Sequence, residues 1–122
     1  MKKNYVFLYG TILRDENNHH LIEDEEFIDS GVIQGYKMIN LGIFPGIIPG
    51  NGAVLGEIYL VCDDAIEMLD IFMDEGNLFV RKTVKVFTSR LEYEAYVYVY
   101  NKEVKNPVYL GEKTYAWKNR LR

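Results

Sequence analysis

Apolar and polar residues alternate most regularly in the second half of the chain. Over residues 91–100, Leu91, Tyr93, Ala95, Val97 and Val99 interleave with Glu92, Glu94, Tyr96, Tyr98 and Tyr100, the two-residue period of a β-strand. Residues 79–87 read the same way, with Val80, Val84 and Val86 on one side and Arg81, Thr83 and Lys85 on the other. Only Thr88-Ser89-Arg90 separates the two runs, which predicts a hairpin. Earlier, the apolar run 5–9 stops at Gly10, the pattern of a buried strand entering a turn. Residues 31–40 and 54–61 are two further predicted strands. Between them, residues 41–52 are punctuated by Pro45, Pro49, Gly42, Gly46, Gly50 and Gly52, too often for a long regular element.

One helix is predicted, over residues 63–72. Ile66, Leu69 and Phe72 share a face, and Asp64 with Glu67 has capping-box spacing, Asp replacing the usual Ser or Thr. Residues 13–26 are polar without a period and read as a loop with a helical turn near His20-Leu21-Ile22. Within it, Glu23-Asp24-Glu25-Glu26 reads as a solvated surface segment. About five strands with one main helix is an α+β pattern. Tyrosines on the second face of the last hairpin predict that this face is covered too, as in a closed or strongly curled sheet.

Length adds that residues 1–122 make one domain, large enough for a core of its own. Ten Tyr and six Phe reinforce the strand reading. The net charge is -4, with basic residues scattered apart from Lys2-Lys3 and a C-terminal group. No basic stripe tracks phosphates, so nucleic acid is not an expected partner. Cys62 is the single cysteine, which excludes an intramolecular disulfide and reads as a small buried hydrophobe. Val6-Phe7-Leu8 is cut off by Gly10 and is no signal core, and no apolar run reaches membrane-spanning length. A cytoplasmic location without a membrane partner is therefore the expectation.

Pattern alone names no reaction. Tyr9-Gly10-Thr11 after a strand, with Asn18-His19 following, resembles the opening signature of the γ-glutamylcyclotransferase-like family, which includes γ-glutamylamine cyclotransferases and plant avirulence-induced proteins. Further pieces fall in the same order: Gly31 with Gly35-Tyr36, Phe44-Pro45-Gly46-Ile47, and Gly56-Glu57-x-Tyr59. Leu69-Asp70-x-Phe72, Phe79-x-Arg81-Lys82-Thr83-Val84 and Tyr115-x-Trp117 complete the set, so the resemblance spans nearly the whole chain.

The resemblance implies a small mixed β-barrel with flanking helices, a small-molecule γ-glutamyl substrate, and a reaction needing no metal and no cofactor. The α-amine of the γ-glutamyl group attacks its own γ-amide carbonyl, releasing 5-oxoproline and an amine or amino acid. Such an enzyme must orient the glutamyl chain, stabilise an oxyanion and move a proton. The resemblance assigns substrate binding to the turn Tyr9, Gly10, Thr11, Ile12 and Leu13. Glycine there permits close backbone approach, and successive N–H groups at a turn can cradle an anion. His19 and His20 read as structural or solvated, having no metal-ligand spacing to Cys or Glu. Glu57, in mid-strand, reads as a hydrogen-bonded structural acid.

One departure matters. The family's catalytic acid is a Glu three residues after the Asp of Leu-Asp, and here that position is Met73. Counted back from Arg81, Glu75 has the catalytic spacing of shorter-loop members. Phe79 also stands where the family usually has Tyr. Two readings follow: a cyclotransferase whose base is Glu75, or alternatively Asp74; or a small-molecule binding module that has lost its acid. The direction of the Glu75 carboxylate, toward Tyr9 and Gly10 or out to water, separates them.

Overall fold

The last hairpin is covered on both faces around Val97 and Tyr98, while Lys82, Thr83, Lys85, Glu92 and Glu94 stay exposed. In the computed structural model, which describes residues 2–117, β4 (Phe79–Phe87) pairs antiparallel with β5 (Glu92–Tyr100). Ala95, Val97 and Val99 enter one buried cluster, while Tyr98, flanked by Tyr96 and Tyr100, enters a second. The second face is covered around Tyr98 by the helix and the loop after the first strand, while Glu92 and Glu94 on it stay exposed. The first face is enclosed by the sheet, which closes on itself. It runs β1 (Lys3–Leu8), β5, β4, β2 (Glu26–Asn40), β3 (Pro45–Cys62), and β3 pairs back onto β1. The result is a five-stranded mixed barrel in which β1 is antiparallel to β3 and parallel to β5. A two-residue strand, β6 (Thr114–Tyr115), extends the sheet along β3. The α+β barrel expected from the pattern is thus the observed architecture.

The first cluster fills the barrel: Phe7, Ile33, Val54, Ile58, Val86 and Val97 meet there, and Tyr115 and Trp117 join them. The second lies where β1, β3 and β5 meet the helix and the loop after β1. Val6, Leu8, Tyr59, Val61 and Tyr98 pack there against Ile66, Leu69, Leu13 and Ile22. This is the two-sided burial that turns every second residue of β1 into a core residue on one face or the other.

The helix α1 (Asp63–Phe72) has the predicted bounds. Its face differs in one residue: Ala65, Ile66 and Leu69 are buried, but Phe72 is 44% exposed. The expected capping box is absent. Cys62 occupies the N-cap position without a side-chain cap, and its own N–H donates to Glu25 Oε1 at 2.8 Å. One member of the acidic run is therefore tied to the start of the helix, while Glu23, Asp24 and Glu26 stay exposed. Cys62 itself is half-buried.

Residues 45–52, expected to be irregular, belong to the 18-residue strand β3. The hairpin with β2 holds register from Asn40↔Pro45 to Tyr36↔Pro49, then shifts before Gln34↔Ala53. Gly35, with φ 88°, sits in that shift opposite Gly50, Asn51 and Gly52. The Pro and Gly residues mark a bulge inside a ladder, not a break between elements.

Gly56 lies where β3 crosses β1. A Cβ there would meet the Leu8 carbonyl and stand 2.6 Å from Phe7 Cζ. Neither the ladder nor the packed ring can retreat, so Gly56→Ala should lower stability by about 1–3 kcal/mol or more. A fall in the urea midpoint at constant m-value measures this; an unchanged midpoint would show that β1 and β3 can separate at this point.

Candidate active site

A cavity of about 400 Å³ opens where β1 ends, within the size range of small-molecule sites. Its floor is the turn after β1: Tyr9, Gly10, Thr11 and Ile12 all line it, together with Asn18. Leu13, the fifth residue expected at the site, points into the core instead and is fully buried.

The turn is held by hydrogen bonds that consume its carbonyls. Leu13 N donates to Gly10 O at 3.1 Å and Asn18 N to Thr11 O at 2.8 Å. His19 Nδ1 donates to Ile12 O at 2.9 Å, and Asn18 Nδ2 to Thr11 Oγ1 at 2.8 Å. Among the described residues, the N–H groups of Thr11 and Ile12 donate to no acceptor. The Asn18-His19 pair therefore shapes the turn, and His20 is exposed. Asp15, with φ 69°, takes a left-handed conformation in the loop that follows.

Gly10 has a packing reason of its own. A Cβ there would stand 2.9 Å from Pro45 Cγ, so the cavity floor and the start of β3 are in direct contact. Glu57, 4% exposed, clamps the far side of the turn. It accepts from Arg14 N at 3.0 Å, Arg14 Nε at 3.1 Å and Tyr59 Oη at 2.9 Å. Those bonds make it a structural acid, and it does not line the cavity.

The opposite wall is apolar. Ile43, Phe44 and Pro45 come from the β2–β3 hairpin, Phe72 and Met73 from the end of α1, and Leu78 and Phe79 from the start of β4. Tyr98 completes it from β5. Among the described residues, none that lines the cavity is Asp, Glu, Lys, Arg or His.

Two of the lining hydroxyls are themselves engaged. Tyr9 Oη donates to Tyr98 O at 2.7 Å, and burial pushes its pKa far above the ordinary tyrosine range against the smaller opposing effect of the Ile47 backbone. Tyr98 Oη donates to Asp70 Oδ1 at 2.7 Å. Burial raises its pKa most, the Asp70 bond and charge add to this, and Arg81 opposes them. Arg81 Nη1 pairs with the other Asp70 oxygen at 2.7 Å while its guanidinium stacks 4.6 Å from the Tyr96 ring. Asp70 is thereby the carboxylate bonded to a cavity-wall hydroxyl.

The structure does not bring Glu75 to Tyr9 and Gly10. Residues 73–78 leave the helix in a tight turn with Asp74 at φ 50° and Gly76 at φ 92°. Glu75 is exposed, and its Oε2 accepts from Arg81 N at 3.1 Å. Asp74, the alternative, is exposed and accepts from Asn77 Nδ2 at 2.7 Å. Both acids shape the turn, and Met73 occupies the cavity wall. Sequence spacing cannot see this, because two left-handed residues redirect the chain between Met73 and Arg81. The Asp70–Arg81 pair did stand in the quoted motif pieces, but Tyr98 carried no signal beyond strand alternation.

Comparison with known proteins gives a consistent family. The family model described as "Gamma-glutamyl cyclotransferase, AIG2-like" matches residues 6–119. The chain is 28% identical over 99 residues to the gamma-glutamylcyclotransferase family protein YtfP of Escherichia coli, covering 81% of this chain and 84% of that one. It is 28% identical over 120 residues to the gamma-L-glutamyl-butirosin B gamma-glutamyl cyclotransferase of Niallia circulans, covering 93% and 74%. Among solved structures, an AIG2-like protein from Mus musculus superposes with a TM-score of 0.75 at 25% identity, covering 81% of this chain and 78% of that one. With the family model matching nearly the whole chain and the same barrel in a solved relative, this chain belongs to the gamma-glutamyl cyclotransferase, AIG2-like family.

Proposed function

We propose that the cavity holds the γ-glutamyl end of an amide and that the protein cyclises it to 5-oxoproline. The observation that carries the reading is the turn of residues 9–12, which floors the cavity with the Gly10, Thr11 and Ile12 carbonyls bonded away and the Thr11 and Ile12 N–H groups without an acceptor among the described residues. Successive N–H groups of this kind suit a carboxylate or an oxyanion. The α-amine nitrogen bonds to the γ-carbonyl carbon, the bond from that carbon to the leaving nitrogen breaks, and one proton passes from the attacking to the leaving nitrogen.

Magnitudes show which groups decide the rate. Ring closure is already intramolecular, so fixing the glutamyl rotamers contributes only about 1.5–2 kcal/mol. A fixed oxyanion donor contributes about 100- to 1,000-fold, and a general base about 100- to 10,000-fold. The donors in this reading are Thr11 and Ile12. The proton path is Tyr98 and Asp70: the amine proton moves to Tyr98 Oη as the Tyr98 proton moves to Asp70 Oδ1, and the pair returns it to the leaving nitrogen.

A second reading has its own observation in favour: Met73 in the wall and no carboxylate among the described residues that line the cavity fit a binding module without turnover. One panel tests both. γ-Glutamyl amino acids and γ-glutamylamines are incubated with the protein and 5-oxoproline is measured, while backbone amide shifts report binding. Release above the uncatalysed rate from at least one compound is expected. Shifts at 9–13 with no 5-oxoproline from any compound would establish the binding module instead.

A further inference from the structure

The wall facing the glutamyl-binding turn is built for a leaving group without charge. Phe44, Leu78 and Phe79 line it, and Met73 stands beside them. Its mouth is apolar as well: Ile43 is 86% exposed and Phe72 44% exposed, and both line the same cavity. Exposed apolar side chains that continue the lining of a cavity suit a ligand-binding groove for an apolar group. Among the described residues no charged side chain lines the cavity, so a second ammonium or carboxylate on the leaving group would lose hydration there and gain no partner from them.

We infer that the substrates are γ-glutamyl amides of apolar primary amines, alkyl or aryl, whose hydrocarbon lies against Ile43, Phe44, Phe72 and Met73. The inference rests on the cyclotransferase reading for the position of the glutamyl end. Ring closure then releases 5-oxoproline and the free apolar amine, with no water consumed. Charged γ-glutamyl conjugates, including those of amino acids, are the poor substrates. A reaction that joins glutamate to an apolar amine would supply such a compound.

The test compares γ-glutamyl-n-butylamide with γ-glutamyl-lysine and γ-glutamyl-glutamate on the whole protein. Binding is read by calorimetry and turnover by 5-oxoproline release. The butylamide is expected to bind at least about tenfold more tightly, in line with the discrimination an apolar pocket gives per methylene. Ile43→Glu, at an exposed position, should narrow that margin against γ-glutamyl-lysine by several fold. Equal binding, or a preference for a charged conjugate, overturns the inference even if 5-oxoproline is released. A butylamide preference without 5-oxoproline from any compound supports the inference and overturns the reaction instead. Failure of all three to bind overturns both.

Discussion

Asp70→Asn is expected to lower 5-oxoproline release by about 100- to 10,000-fold, the usual cost of losing a general base. Asn keeps the shape and an acceptor for Tyr98 Oη, which donates to Asp70 at 2.7 Å, but it does not take up the proton. Tyr98→Phe cuts the same path at its other member and should cost a similar factor. A proton-path defect lowers kcat with KM little changed, whereas a displaced helix end would raise KM. The Asp70–Arg81 bridge at 2.7 Å makes a thermal melt of each variant a necessary companion. Glu75→Gln and Asp74→Asn should stay within a few fold of wild type, because both acids are exposed and bonded to their own turn. Loss of activity in Glu75→Gln alone would move the base to Glu75 and require the turn to swing inward. Met73→Glu sets a carboxylate in the cavity wall itself, and a gain of activity there from an inactive wild type would identify the natural chain as a binder.

Above pH 10 Tyr9 and Tyr98 together should lower stability by up to roughly 3 kcal/mol per pH unit. Tyr9 and Tyr98 have pKa values raised beyond the ordinary range, chiefly by burial. In the unfolded chain both titrate near 10, so below that pH neither state has lost a proton and stability is flat. Between 10 and the raised values the unfolded state sheds two protons that the folded state keeps. Each contributes about 1.36 kcal/mol per pH unit. Stability is therefore fully present below 10 and falls as pH rises. Urea midpoints measured from pH 9 to 11.5 report the slope, and Tyr9→Phe should halve it. A flat profile would mean that both hydroxyls ionise in place.

The helix and the last hairpin were legible because their periods are long and clean, and the tyrosine face of β5 announced a closed sheet. Two of the misreadings share a cause. Gly35, with φ 88°, lets β2 and β3 shift register without separating, so Pro45 to Gly52 read as a loop while remaining in a ladder. Asp74 and Gly76, also left-handed, redirect the chain after α1, so spacing from Arg81 placed Glu75 at a site that it does not reach. Backbone handedness at single residues is invisible to periodicity. The cavity floor was legible only through the resemblance; its opposite wall comes from four separate elements that nothing local in the sequence connects.

Strand β1 has a consequence for how the molecule comes into being. It is the first strand in the chain, yet it is seated between β3 and β5, touching β5 through Val6↔Tyr96. Closing a loop of about 90 residues costs chain entropy before any contact rewards it, and such non-local pairings fold slowly. The β4–β5 hairpin and the long β2–β3 hairpin are local and form without waiting for β1. The residues that floor the cavity are thus expected to be set in place late in folding. Pulse-labelled hydrogen exchange should find the β4–β5 amides protected before those of β1, and the reverse order would show that the N-terminal strand nucleates the barrel.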